Sequence, residues 1–177
     1  MTVTRCAARY DASRAPIQQI VPKSEAERAH DMVPVHKETA MDNSVPQRIL
    51  LPPEWSPPIG YSNGISVAAG RIVFVAGQVG WDANQHFRSE DLIPQFEQAL
   101  RNVLAVIVME GGKPNHICRI TAFCIDKPAY LAGRTELGRI WRTLMGNHYP
   151  AMSMIFVADL LDTPAKIELE ATAVIPA

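Results

Sequence analysis

Lys166-Ile167-Glu168-Leu169-Glu170-Ala171-Thr172-Ala173-Val174-Ile175 alternates apolar and polar residues along most of its length. Successive side chains of a strand point to opposite faces, so Ile167, Leu169, Ala171 and Ala173 share one side. Lys166, Glu168, Glu170 and Thr172 share the other. The apolar side predicts a core face. Carboxylates repeated on the opposite face must meet water, a partner subunit or a site. Glu168 and Glu170 would lie about 7 Å apart from the strand rise, a spacing that suits either acid–base work or an ordinary solvated strand.

Strand and helix signals precede this segment. Ser153 to Ala158 reads as the strand before it, joined to it by a short loop with Asp162 and Pro164. Pro128 to Met145 reads as one helix with Leu131, Leu137, Ile140, Trp141 and Leu144 inward, although Gly133 and Gly138 interrupt its propensity. His116 to Ile125 alternates as a strand. Ser89, Glu90 and Asp91 open a helix in which Ile93, Phe96, Leu100, Val103, Leu104 and Ile107 recur at steps of three and four, and Gly111-Gly112 closes it. Ile65 to Val67 and Arg71 to Ala76, rich in β-branched residues, predict a hairpin, with Gly77-Gln78-Val79-Gly80 breaking the pattern after it. The prolines at 52, 53, 57 and 58 exclude a central strand or helix there and predict a semi-rigid loop leading to Tyr61. The order β-β-α-β-α-β-β defines an α+β fold, one sheet with both helices on one face.

The chain has 177 residues, 47% hydrophobic and 20% charged, which suits one globular domain with a core of its own. Residues 1–40 carry six Lys or Arg and five Asp or Glu without a sustained apolar period, so residues 1–45 are expected to form a mobile extension to a domain at 46–177. Arg5, Arg9 and Arg14 give the extension a trace of transit-peptide composition, against which stand Asp11 and the missing amphipathic face. A dispensable leader, or a working start at Met41, are the alternatives. From Met41 onward 11 Lys or Arg face 13 Asp or Glu, which argues against binding nucleic acid or an anionic membrane. No apolar run approaches the roughly 20 residues of a membrane span. Three cysteines without CxxC spacing exclude a disulfide framework and a zinc site, and suit a reducing, cytoplasmic setting. Cys118 and Cys124 would face one way but sit about 20 Å apart, too far to share a metal. His116 and His148 stand in no titratable motif and read as packing or surface residues.

Several stretches together carry a resemblance. Gly60-Tyr61-Ser62-Asn63-Gly64, Val73-Phe74-Val75-Ala76-Gly77-Gln78-Val79, Gln98-Ala99-Leu100-Arg101-Asn102-Val103, Pro150-Ala151, and Lys166 to Val174 resemble, in order and spacing, the Rid family of reactive-intermediate imine deaminases, also called YjgF-like proteins. The resemblance covers Tyr61 to Ile175. It implies a chorismate-mutase-like protomer, a homotrimer with three inter-subunit clefts, and hydrolysis of imines or enamines of small acids without metal or organic cofactor. By the same resemblance Glu168 orients the hydrolytic water and Tyr61 covers the substrate, while Gly77, Gln78 and Met154 line the pocket.

Three positions depart from the family pattern. The family's Pro-Ala-Arg-Ser reads Pro150-Ala151-Met152-Ser153, so the two-pronged guanidinium that would hold a carboxylate is missing. Ala76 replaces a family Ser or Thr. Arg134 falls where many relatives have a cleft asparagine, and is the candidate to restore the lost cation; its alternative is a solvated, ion-paired helix arginine. Met152 resembles the 2-aminomuconate deaminase branch, whose substrate is an enamine dicarboxylate. The rival expectation is a ligand-binding or regulatory trimer that has lost catalysis with its arginine.

Overall fold

The structure, a computed structural model, describes residues 47–176. The expected extension at residues 1–45 lies outside the described residues. Six strands and three helices follow in the order β1 (Gln47–Leu50), β2 (Gly64–Val67), β3 (Arg71–Val79), α1 (Leu92–Val108), β4 (Ile117–Cys124), α2 (Lys127–Ala132), α3 (Arg134–Met145), β5 (Ala151–Phe156) and β6 (Ile167–Ile175). The main sheet is ordered β3-β6-β4-β5, with β6 antiparallel to both neighbours and β5 parallel to β4. It is the expected mixed α+β sheet.

β6 keeps its alternation. Ile167, Leu169, Ala171 and Ala173 are buried in one cluster with Phe96, Leu100, Val103 and Ile107 of α1 and with Leu137, Ile140 and Trp141 of α3. Both helices therefore cover the same face, while Glu168, Glu170 and Thr172 remain half-buried on the other. Gln95, also on the inward side of α1, is fully satisfied: its amide nitrogen donates to the Ser89 and Pro164 carbonyls at 2.9 and 2.7 Å, and its oxygen accepts from the Lys166 N–H at 2.6 Å. This buried amide fixes where β6 begins.

Four local expectations are corrected. β2 and β3 do not form a hairpin; β2 pairs antiparallel with β1, from Gln47↔Val67 to Leu50↔Gly64, and β3 pairs with β6. The 77–80 segment does not end the strand at once, because a bulge between Val75 and Gln78 lets β3 resume pairing to Val79. The second helix is two helices, broken at Gly133, which has no Cβ to collide with Ile93 of α1; the break leaves Leu131 half exposed. β5 starts at Ala151 rather than Ser153, immediately after a proline that cannot donate to the ladder. In β4 a further bulge between Ile117 and Arg119 interrupts the alternation at Cys118, which is half-buried while Cys124 is buried.

Candidate functional site: a cationic cleft and a separate carboxylate

The residues singled out in the sequence fall into two groups on opposite sides of the sheet. Tyr61, Arg134, Met152 and Met154 share one cleft of about 420 Å³ on the helical side. Glu168, Ala76 and Gly77 lie away from it, on the uncovered side, and Gln78, just past the irregularity in the strand, does not line it.

Local structure explains the cleft. The Ser62 N–H donates to the Pro150 carbonyl at 3.0 Å, and the Ser62 hydroxyl to the Tyr149 carbonyl at 2.6 Å. A bridge between Ser62 and Ala151 completes this tie, so the loop carrying Tyr61 is held beside the start of β5. Tyr61 is 43% exposed, with its ring at the rim, and Ile59 beside it is 92% exposed. Met152 and Met154 pack towards the core from β5. The Trp141 indole N–H donates to the His148 carbonyl at 3.0 Å, and its ring stacks on Tyr149 with centroids 6.0 Å apart and planes 10° apart. These two rings form an apolar wall.

Two arginines of α3, Arg134 and Arg142, line the same cleft, and no acid does. Among the described residues neither is in an ion pair, whereas Arg139 on the same helix binds Glu136 at 2.6 Å. Both are exposed, and guanidinium groups without an acid partner beside an apolar wall suit a small organic anion chemically. Arg142, Trp141 and Tyr149 join the cleft without any family motif to mark them. The periodicity of the helix marks Trp141 as core, which it also is; Arg142 offers one signal in sequence, its two-turn spacing from Arg134.

On the other side, Glu168 stands on β6 opposite Val79 of β3 and Phe123 of β4. Its carboxylate occupies the space where a Cβ at residue 77 would be, so only glycine fits there without displacing it. The Gln78 amide folds back to the carbonyls of Ala76 and Gly77, both at 3.2 Å. Asn102 of α1 holds the end of β3, donating to the Val79 and Trp81 carbonyls at 3.0 and 2.9 Å, and is itself held by Gln98 at 2.8 Å. The Gln98 to Val103 stretch thus supports this half. Nearby, Phe74, Ala76, Arg119, Thr121, Glu170 and Thr172 line a shallow groove of about 380 Å³. Ile72 and Phe74 are 60% and 78% exposed on this face.

His116 and His148 are structural. His116 is buried and accepts the Lys113 N–H at 3.1 Å through Nδ1; loss of solvation, then Lys113 and His148, hold its pKa below the ordinary histidine value. The His148 ring meets the Ile117 carbonyl at 2.7 Å. Burial raises the pKa of Cys118 and Cys124 above the ordinary thiol value, which keeps both protonated. Among the described residues no three His, Cys, Asp or Glu side chains converge to hold a metal ion, and no helix is long and apolar enough to cross a membrane.

The chain thus combines a one-sided α+β sheet, a cleft lined by two arginines at its β5 edge and a glutamate seated against Gly77 on its bare face. Residues 54–175 match the family described as endoribonuclease L-PSP, and the chain belongs to this family, the Rid or YjgF-like proteins. It is 31% identical over 117 residues to a 2-iminobutanoate/2-iminopropanoate deaminase of Salmonella typhimurium, covering 64% of this chain and 86% of that protein. It is 28% identical over 115 residues to protein DfrA of Myxococcus xanthus, covering 64% and 84%. Among solved structures, the Rid-family protein YyfB of Yersinia pestis superposes with a TM-score of 0.65 at 32% identity, covering 73% of this chain and 98% of that one. The TdcF protein of E. coli with bound serine gives a TM-score of 0.52 at 28% identity, covering 72% and 98%. The family includes imine deaminases alongside proteins named for other activities.

Proposed function

We propose that the protein hydrolyses the C=N bond of an imine, or of the imine tautomer of an enamine, in a small organic acid. Arg134 binds the carboxylate, Tyr61 covers the substrate at the rim and Glu168 orients the water. The water oxygen bonds to the electrophilic carbon and a proton reaches nitrogen; the resulting carbinolamine then expels ammonia and leaves a carbonyl. The substrate carbon is already electrophilic, so positioning and charge placement supply much of the acceleration.

Glu168 and the cleft lie on opposite sides of one protomer, so this chemistry needs a second copy. The proposal therefore includes a homotrimer built on the bare sheet face, where exposed Ile72 and Phe74 would be covered and Glu168 of one copy would reach the cleft of its neighbour. The observation that carries the reading is the cleft itself, where, among the described residues, Arg134 stands beside an apolar wall with no acid partner.

The test is ammonia release from freshly generated 2-iminopropanoate and 2-aminomuconate, each against uncatalysed hydrolysis. Acceleration is expected, with Arg134→Ala raising KM about tenfold or more and Glu168→Gln lowering kcat about a hundredfold. An absence of acceleration for both substrates refutes the proposal. Met152, which offers no donor at the family's arginine position, favours a second reading, a trimer that binds such acids without turnover. RNA cleavage is disfavoured by the net negative charge of residues 41–177, which leaves no cationic surplus for a phosphate backbone.

A further inference from the structure

Arg134, Gly138 and Arg142 follow one another at steps of four along α3, and all three line the cleft. Residues at this spacing share one helix face. Glycine inside a helix is destabilising relative to alanine, yet here it leaves the floor between the two arginines open. An Arg142 Nη1 lies 3.9 Å from where a Cβ at Gly138 would sit. The Arg142 guanidinium therefore leans back a full turn towards Arg134, to a level about 6 Å along the axis from the Arg134 backbone. Two cations converge on one pocket that, among the described residues, has no acidic wall. Their mutual repulsion is relieved by a ligand carrying two negative charges.

We infer that Arg142 is a second anion anchor and that the cleft selects short dicarboxylates over monocarboxylates, with Arg134 taking one carboxylate and Arg142 the other. This deepens the proposed function by naming its substrate class, and rests on the reading of the cleft as acid-binding. It does not rest on turnover. Arg142 also lies in the last turn of α3, where any cation is favourable to the helix dipole, and that role predicts an effect on stability alone.

The experiment is titration calorimetry of the full chain with adipate and with hexanoate, which match in length and differ by one carboxylate. The wild type is expected to bind adipate about tenfold more tightly, the scale of one charge-assisted contact in a partly exposed site. Arg142→Gln should bring that ratio close to one, and Arg142→Lys, which keeps the charge but not the fork, should retain part of it. An equal affinity of the wild type for both acids, no binding of either, or an unchanged ratio in Arg142→Gln overturns the inference. A protein that prefers adipate through Arg142 but releases no ammonia refutes hydrolysis and leaves the dicarboxylate preference standing.

Discussion

Replacing Gly77 by alanine separates the role of Glu168 from the stability of the fold. Among the described residues only Gly60, Gly111 and Gly146 have positive φ for glycine, so the backbone at residue 77 accepts an alanine. A Gly→Ala change at a compatible site stabilises by about 0.4–1 kcal/mol through the unfolded chain. The new methyl collides with the Glu168 carboxylate, the free end of a flexible, half-buried side chain. Swinging it aside costs about 0.5–1.5 kcal/mol if the new rotamer is imperfect. The two effects nearly cancel, and Tm should move by no more than about 3 °C. Activity should not survive as well. On the proposed role of Glu168, a displaced carboxylate would no longer hold the water, and kcat should fall about a hundredfold, near 2.7 kcal/mol of barrier, with KM little changed. Ammonia release and a thermal melt on the same preparation read both quantities. The double variant with Glu168→Gln should be no slower than Glu168→Gln alone, since both changes remove one function. A Gly77→Ala protein with wild-type kcat would refute the reasoning.

Two predictions concern the scaffold. Gln95→Leu removes three hydrogen bonds from a buried site and should cost about 3 kcal/mol in a urea titration, while a loss below about 1 kcal/mol would mean that water replaces them. His116 has a folded pKa below the ordinary value of 6.5, so the unfolded chain binds the proton more readily and stability falls as pH drops through and below 6.5. His116→Gln should flatten that part of the stability profile, measured by denaturant midpoints between pH 7 and 5; an unchanged slope would exclude His116 as its source.

The core was legible wherever one residue type had to recur at one period. The alternation of β6 and the apolar stripe of α1 each have a single burial solution. Strand partners were not legible in the same way. Ile65 to Val67 and Arg71 to Ala76 are near in sequence and both β-rich, but the first pairs with β1 across the proline loop and the second with the last strand of the chain. Local propensity carries no information about such distant partners. The bulges in β3 and β4 lack a distinctive sequence mark, and each reverses which face later residues occupy. Tyr61, Arg134 and Glu168 were found by resemblance to a family motif. That Arg134 shares its cleft with Arg142, and that Glu168 faces away from both, follows from which side of the sheet the helices cover. No spacing within a single segment encodes that.

The separation of the cleft from Glu168 has a genetic consequence. If each working site joins the cleft of one copy to the carboxylate of the next, a variant lacking Arg134 and a variant lacking Glu168 are complementary within a mixed ring. Random mixing of equal amounts rebuilds about one intact site in four, although neither parent alone has any. Mixed with the wild type, a copy lacking either residue disables one site and still serves another, so such an allele lowers activity only in proportion to its share.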